Sequence, residues 1–321
     1  MNFIKQNKKT LIVIGTIFLL VIVNKSINIY ATNVIEDELK SVTKNIDFEY
    51  DDLNYSFLSS TLTIDNISIE DGRDNLNLEE LSLKLDPDEL PSKNEFEKGD
   101  FVMSLSSSEM SILNLKYINR DGIIKIGESS LYLNGIFNAK EDKFTADKIE
   151  LDFKDLKVSE GSEGFEVESL YLEYESENQI NLLDIEESME NFQYNELDDL
   201  VLELSIENFD LSRLVTRELE LDELGISSLS GEILSIYIDK SKDELEFNFD
   251  LGSEFLGDIE IESIIDSEDN PTDPMIKLEV ELNNLERNFN DLLQGSKLKE
   301  TKNGFELDFE GSLSEIQNAI F

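Results

Sequence analysis

From Ile46 onward, apolar and polar residues alternate along the chain with a period of two. Ile46, Phe48 and Tyr50 are separated by acids, and Leu53, Tyr55 and Phe57 resume the alternation. A turn-like Ser59-Ser60 then leads into Leu62 and Ile64. Successive side chains of a strand point to opposite faces, so this spacing predicts paired strands with one apolar and one charged face. That is the pattern of an antiparallel sheet wet on one side.

A unit of the form apolar, x, apolar, acid or Asn, x, apolar, x, apolar recurs. It reads Leu62-Thr-Ile64-Asp65-Asn66-Ile67-Ser-Ile69, then Leu76-Asn-Leu78-Glu79-Glu80-Leu81-Ser-Leu83. It returns as Phe144–Leu151, as Phe165–Leu172 and as Leu204-Ser-Ile206-Glu207-Asn208-Phe209-Asp-Leu211. Two polar residues between apolar positions slip the alternation by one, which flips a strand's faces unless something absorbs the extra residue. Each unit is therefore expected to hold a bulge or a sharp bend that twists and curves the sheet. The spacing between units is irregular, which excludes a solenoid repeat of fixed period.

Further strands are expected over Phe101–Leu105, Ile112–Ile118, Ile123–Ile126, Leu131–Phe137, Ile233–Ile238, Leu245–Leu251, Leu256–Ile261, Met275–Leu282 and Phe305–Phe309. Asp121-Gly122 between two apolar runs is a hairpin signal. Helical spacing is rare. It occurs at Leu182, Ile185, Met189 and Phe192, at Leu211, Leu214 and Val215, and at Leu282, Leu285, Phe289 and Leu292 before Gly295. Ser312-x-x-Glu315 has the form of a cap on a last short helix. The change of period near residue 180 suggests a β-rich part over 46–180 and an α+β part over 181–321, with no Pro- or Gly-rich linker between them.

The N-terminus departs from all of this. Residues 1–9 are basic, and Thr10–Val23 (TLIVIGTIFLLVIV) contains no charge. A basic flank before an apolar run is the pattern of an export signal or signal anchor. The run is shorter than the ~20 residues of a spanning helix, but Lys25 can snorkel and the uncharged SINIYA extends the span to Ala31. The expectation is an uncleaved transmembrane anchor over 10–31, and the competing reading is cleavage after Ala31. Both leave the lysines in the cytoplasm and the bulk of the chain outside. Residues 32–45 follow as an amphipathic stalk helix, with Val34, Ile35, Leu39 and Val42 on one stripe.

Charge and composition narrow the function classes. The 321 residues include no His, no Cys and no Trp, which removes His- and Cys-based triads, thiol chemistry and most zinc sites. Only four of the 27 basic residues (Lys5, Lys8, Lys9, Lys25) precede residue 26, and none of the 72 acids does. So acidic a body repels nucleic acid and anionic headgroups.

Carboxylates are everywhere and mostly alternate with apolar residues, which places them on a solvated face rather than in a catalytic pair. A glycosidase-like pair or another acid-only hydrolase site is therefore the weakest of the functional readings, and no enzyme activity and no cofactor are expected. The loop carrying Asp266, Glu268, Asp269 and Asp273 is a weak calcium candidate, since calcium takes clustered oxygens, although its spacing is not that of an EF-hand and Pro271 and Pro274 suit an ordinary turn.

The apolar face is the remaining clue. The expected helices are too few to cover it, so the sheet either closes on itself or leaves part of that face open. An open apolar patch of a few hundred Å² marks a binding surface. Strand positions near the anchor, Phe48, Tyr50, Leu62, Ile64, Ile67 and Ile69, are the candidate ligand contacts, and core packing is the competing role for each.

A basic start, one hydrophobic span, a short helix and then the run from Phe48 to Ile69 (FEYDDLNYSFLSSTLTIDNISI) resembles the opening of the AsmA-like and YdgA-like envelope proteins. The strand style LTIDNISI returns as LSIENFDL. For the AsmA-like group the resemblance implies an inner-membrane anchor and a periplasmic, groove-shaped β-sheet linked to phospholipid movement or envelope integrity. It brings no catalytic residues. The joint expectation is a mainly β chain with a few short helices, its long curved antiparallel sheet forming a groove or a sandwich behind one transmembrane helix. Its partners would be the inner membrane, a phospholipid or other apolar ligand, and other envelope proteins. The alternative is an envelope scaffold whose acidic face docks a basic protein.

Overall fold

The computed structural model describes residues 47–56, 59–84, 102–104, 108–120, 122–138, 140–141, 143–160, 163–181, 199–211, 229–253, 256–268, 270, 273–285, 293, 297–312 and 314–316. The expected anchor, the stalk helix and the helical stripes at 182–192 and 214–215 lie outside these residues, as does most of the stripe at 282–292.

The described chain is almost entirely strand. In order these are β1 (Asp47–Glu49), β2 (Asp52–Ser56), β3 (Thr61–Asp71), β4 (Asp74–Lys84), β5 (Val102–Ser104), β6 (Ser108–Ile118), β7 (Gly122–Asn138) and β8 (Lys143–Glu160). They continue as β9 (Glu163–Asn181), β10 (Asp199–Leu211), β11 (Leu229–Ser241), β12 (Glu244–Ser253), β13 (Gly257–Asp266), β14 (Met275–Asn283), β15 (Lys299–Glu300) and β16 (Gly304–Ser312). The hydrogen-bonded order is β1-β3-β4-β6-β7-β8-β9-β10-β11-β12-β13-β14-β16-β15, with β2 added on β3 and β5 on β7. The protein is thus mainly β, built on antiparallel neighbours, as the period of two required.

Several strands exceed the expected segments. Ile123–Ile126 and Leu131–Phe137 belong to one strand, β7, because the polar Glu128-Ser129-Ser130 between them stays in the ladder, with Ser129 buried. The hairpin signal before it holds: the Asn119 amide donates to the Gly122 carbonyl at 3.0 Å and the Gly122 amide donates to Asn119 Oδ1 at 2.7 Å.

Contacts divide the chain into two compact units. The first comprises Met1–Ile149 with Gln179–Asn191, and the second comprises Glu150–Asn178 with Phe192–Phe321. Residue 180 lies in the stretch that returns to the first unit.

The first unit has a dry core. Leu62, Ile64, Ile67 and Ile69 of β3 face Leu83, Leu81, Leu78 and Leu76 of β4, and all eight are buried. Residues 64 and 67 are three apart yet share a face, which a regular strand forbids. The reason is Asn66, whose φ is +52°. One residue in the left-handed region reverses the pleat, so Ile64 and Ile67 both turn inward. Asn adopts that region more readily than other non-glycine residues.

The expected bulge takes a different form here. Asp65 pairs with Glu80 and Ile67 with Leu78, so the register is the same on both sides of the kink. Asn66 and Glu79 leave the ladder together, and neither strand gains a residue. The slip in one repeat unit has been laid against the slip in the next. The line continues into β6, where Asn114 has φ +52° and its amide donates to Glu79 at 2.5 Å, while Asn66 donates to Asp51 at 2.9 Å.

The second unit repeats the device. Asn208 in β10 has φ +47° and donates to Glu168 of β9 at 2.5 Å. Asn284, just past β14, has φ +53° and donates to Asp258 of β13 at 2.7 Å. A true bulge appears where β11 meets β12, between Gly231 and Ile233. Gly231 is obligatory there, since a Cβ would sit 2.3 Å from the Gly252 carbonyl oxygen.

The expected terminal cap is half present. Ser314, Glu315 and Ile316 are helical, and the Ser312 amide donates to Glu315 Oε2 at 3.1 Å, the reciprocal arm of a capping box. The Ser314 amide and hydroxyl donate instead to Asp273, at 2.9 and 3.1 Å.

Candidate functional site

The six residues singled out near the expected anchor separate by environment. Leu62, Ile64, Ile67 and Ile69 are 0–4% exposed, so they are packed core and present no surface to a ligand. Phe48 and Tyr50 are partly exposed, with ring centroids 5.7 Å apart. The first unit also has an open depression of about 580 Å³ at its line of kinks, walled by Asp65, Asn66, Asn77, Glu79, Glu80 and Asn114. All three of its amides are already donating, Asn114 to Glu79, Asn66 to Asp51 and Asn77 to Asn75.

The second unit presents a wider surface. Across its seven long strands the pairings line up one continuous row: Leu172, Leu204, Ile236, Phe249, Ile261, Val280 and Leu307. Two residues toward one end lies Leu170, Ile206, Leu234, Leu251, Ile259, Leu282 and Phe305, and toward the other lies Tyr174, Leu202, Ile238, Phe247, Ser263, Leu278 and Phe309. These rows share a face because strand side chains repeat every second residue. At the usual strand separation and rise they span about 29 by 14 Å, or roughly 400 Å² of apolar surface.

Burial distinguishes this face from the core of the first unit. In β4 the apolar residues Leu76, Leu78, Leu81 and Leu83 are buried and alternate with residues that are not. In β11, by contrast, every residue from Ile233 to Lys240 is partly exposed, apolar and polar alike. β12 behaves similarly from Leu245 to Asp250, and all seven members of the central row are partly exposed. In the middle of β11 and β12 the apolar face is therefore as open as the polar face, whereas β13 keeps the alternation and Tyr174, Leu251 and Phe305 of the flanking rows are buried. Nothing in the residue pattern marks this difference, because alternation reads the same whether or not the face is covered.

The opposite face is acidic across the strands. Asp250 lies opposite Glu260, Glu260 opposite Glu281, and Glu281 opposite Glu306. The row beside it sets Glu262 against Glu279 and Glu279 against Asp308. Like charges directly across a ladder destabilise it. Burial, then the neighbouring carboxylates of Asp250 and Glu281, push the Glu260 pKa up. Burial likewise raises Tyr171 and Tyr237, whose hydroxyls donate to Glu173 at 2.8 Å and to Asp239 at 3.2 Å. Lys277 answers part of this charge from beside Glu279, at 2.6 Å.

Among the described residues, the calcium candidates Asp266, Glu268 and Asp273 are not brought together as a site. Asp273 accepts from Ser314, whose backbone amide is the first cause of its lowered pKa. Asp266 accepts from the Glu268 amide at 2.9 Å, a local turn, and Asp269 lies outside the described residues. Among the described residues, no three acidic side chains are grouped to hold a metal ion. The chain matches no protein family, no curated protein and no solved structure with which it was compared.

Proposed function

We propose that this chain is a membrane-tethered, extracytoplasmic envelope protein that holds or passes a phospholipid or other apolar ligand on the apolar face of its second unit, without catalysing a reaction. The observation that carries the reading is the central row Leu172–Leu204–Ile236–Phe249–Ile261–Val280–Leu307, apolar across seven strands and partly exposed throughout. Acyl chains suit it, because each methylene taken out of water onto such a surface contributes about 0.8 kcal/mol.

The candidate contacts therefore pass from Leu62, Ile64, Ile67 and Ile69 to the row centred on Phe249. A curved, groove-like sheet fits the same reading, since the left-handed kink at Asn208 and the bulge at Gly231 redirect its strands. The basic, uncharged-core N-terminus supports an inner-membrane anchor with a cytoplasmic N-terminus. The acidic face opposite would repel anionic headgroups and leave the apolar face as the lipid-facing side.

Native mass spectrometry of the full chain, released from bacterial membranes in mild detergent and followed by lipid extraction, tests the proposal. Phospholipid retained in defined stoichiometry is the expected result. An apo mass with no recovered lipid would overturn it.

A further inference from the structure

We propose that the outer edge of β16 is a docking site for an extended segment of another protein in which Lys or Arg alternates with apolar residues. The backbone of β16 alternates in the direction its groups point. The Asn284 amide donates to the Asn303 carbonyl at 3.0 Å, and the Thr301 amide donates to the Gly304 carbonyl at 2.8 Å. Odd-numbered residues therefore bond toward β14 and even-numbered ones toward β15, since antiparallel ladders alternate.

β15 is only Lys299–Glu300 and pairs with Glu306 and Phe305 alone. Beyond Glu306 the outward backbone groups belong to Asp308, Glu310 and Ser312. The Ser312 amide is taken by Glu315. The backbone groups of Asp308 and Glu310 have no strand partner among the described residues. The helical turn after β16 does not run along this edge, because Ser314 is tied back to Asp273, which precedes β14.

An unpaired strand edge is a template for another strand. The side chains decide which. Glu306, Asp308 and Glu310 lie on the acidic face, while Leu307 and Phe309 end two rows of the apolar lattice. A second copy of β16 would set carboxylate against carboxylate, which opposes self-pairing. The short strand already in place shows the matching chemistry, since Lys299 lies opposite Glu306 and is ion-paired with it. A segment with basic residues on that side and apolar residues on the other would continue both faces by one strand.

The test uses the full chain in mild detergent and two nine-residue peptides of equal composition, one alternating Lys and Val and one with its lysines in a block. Amide hydrogen exchange is followed over Leu307–Ser312. At ten times its Kd the alternating peptide should slow exchange of the Asp308 and Glu310 amides about tenfold, and the block peptide should not. Asp308→Pro removes one outward donor and leaves the bonds to β14, so it should abolish that protection. The variant D308K/E310K should instead favour a peptide alternating Glu and Val, weakening the Lys peptide about fivefold for two exposed charge contacts. Equal protection by the block peptide, unchanged protection in Asp308→Pro, or an unaltered preference in the charge-reversed protein would each overturn the proposal.

Discussion

Asn66 offers the sharpest test of how this sequence makes its sheet. Its φ of +52° lets Ile64 and Ile67 share the core of the first unit, and its amide donates to Asp51. Asn66→Val meets two costs. A side chain branched at Cβ in the left-handed region costs about 1–2 kcal/mol, and losing the charge-assisted hydrogen bond at an exposed site adds about 1 kcal/mol. Straightening the strand instead would turn Ile67 and Ile69 out of the core, at about 2 kcal/mol or more for each side chain, so the strained kink is the cheaper outcome. Asn66→Gly loses the hydrogen bond but accepts the backbone angle, for a net cost of about 1 kcal/mol. Native-state hydrogen exchange, read by mass spectrometry over Thr61–Lys84, reports these costs locally without assuming that both units unfold together. Protection in β3 and β4 should fall about fivefold in Asn66→Gly and about 30- to 150-fold in Asn66→Val. Equal protection in the two variants would refute the reasoning, because the kink would then not depend on the left-handed angle.

Two further outcomes follow from the contrast between the units and from the acidic face. Ile64→Ala, at a fully buried position, should cost about 3–5 kcal/mol, whereas Ile236→Ala, partly exposed, should cost about 1–2 kcal/mol because no closed cavity is left. Equal losses of local exchange protection would mean that the second unit's apolar face is as dry as the first unit's core. The raised pKa of Glu260 means that the folded state binds a proton more tightly than the unfolded one. Its unfavourable contribution therefore fades as pH falls from neutrality toward the ordinary value of 4.5. The thermal midpoint of the second unit should rise on mild acidification, and Glu260→Gln should raise it at neutral pH and flatten that slope. A midpoint that falls steadily from pH 7 to 5 in both proteins would contradict this.

Much of the fold was legible in the alternation of apolar and acidic residues. The repeat unit that slips by one residue correctly marked Asn66 and Asn208 as places where a strand must bend. It missed Asn114, because the preceding residue is Leu113, an exposed apolar side chain where the pattern asked for an acid or Asn. It did not show that the bends are matched across strands, since the placing of Asn66 across from Glu79 is a fact of register and not of local sequence. Ile123–Ile126 and Leu131–Phe137 read as two strands, because nothing local shows that the neighbouring strand β6 holds the polar Glu128-Ser129-Ser130 between them in the ladder.

The candidate site was less legible for a physical reason. Leu62 and Ile236 occupy the same kind of position in the same kind of pattern, yet one is buried and the other partly exposed, a difference set by the folded surroundings and not by local sequence. Nor could the order of pairing be read from any one strand, and that order joins Leu172 to Leu307 in a row seven strands wide.

Site-specific photocrosslinking tests the central claim most directly. A photoreactive phenylalanine analogue is placed at Phe249 in one protein and at Ile64 in another, and cells are grown with a clickable fatty acid before irradiation. Lipid adducts at position 249 and none at position 64 are the predicted result. Adducts absent from 249, or equally strong at 64, would contradict the assignment of the ligand to the apolar face of the second unit.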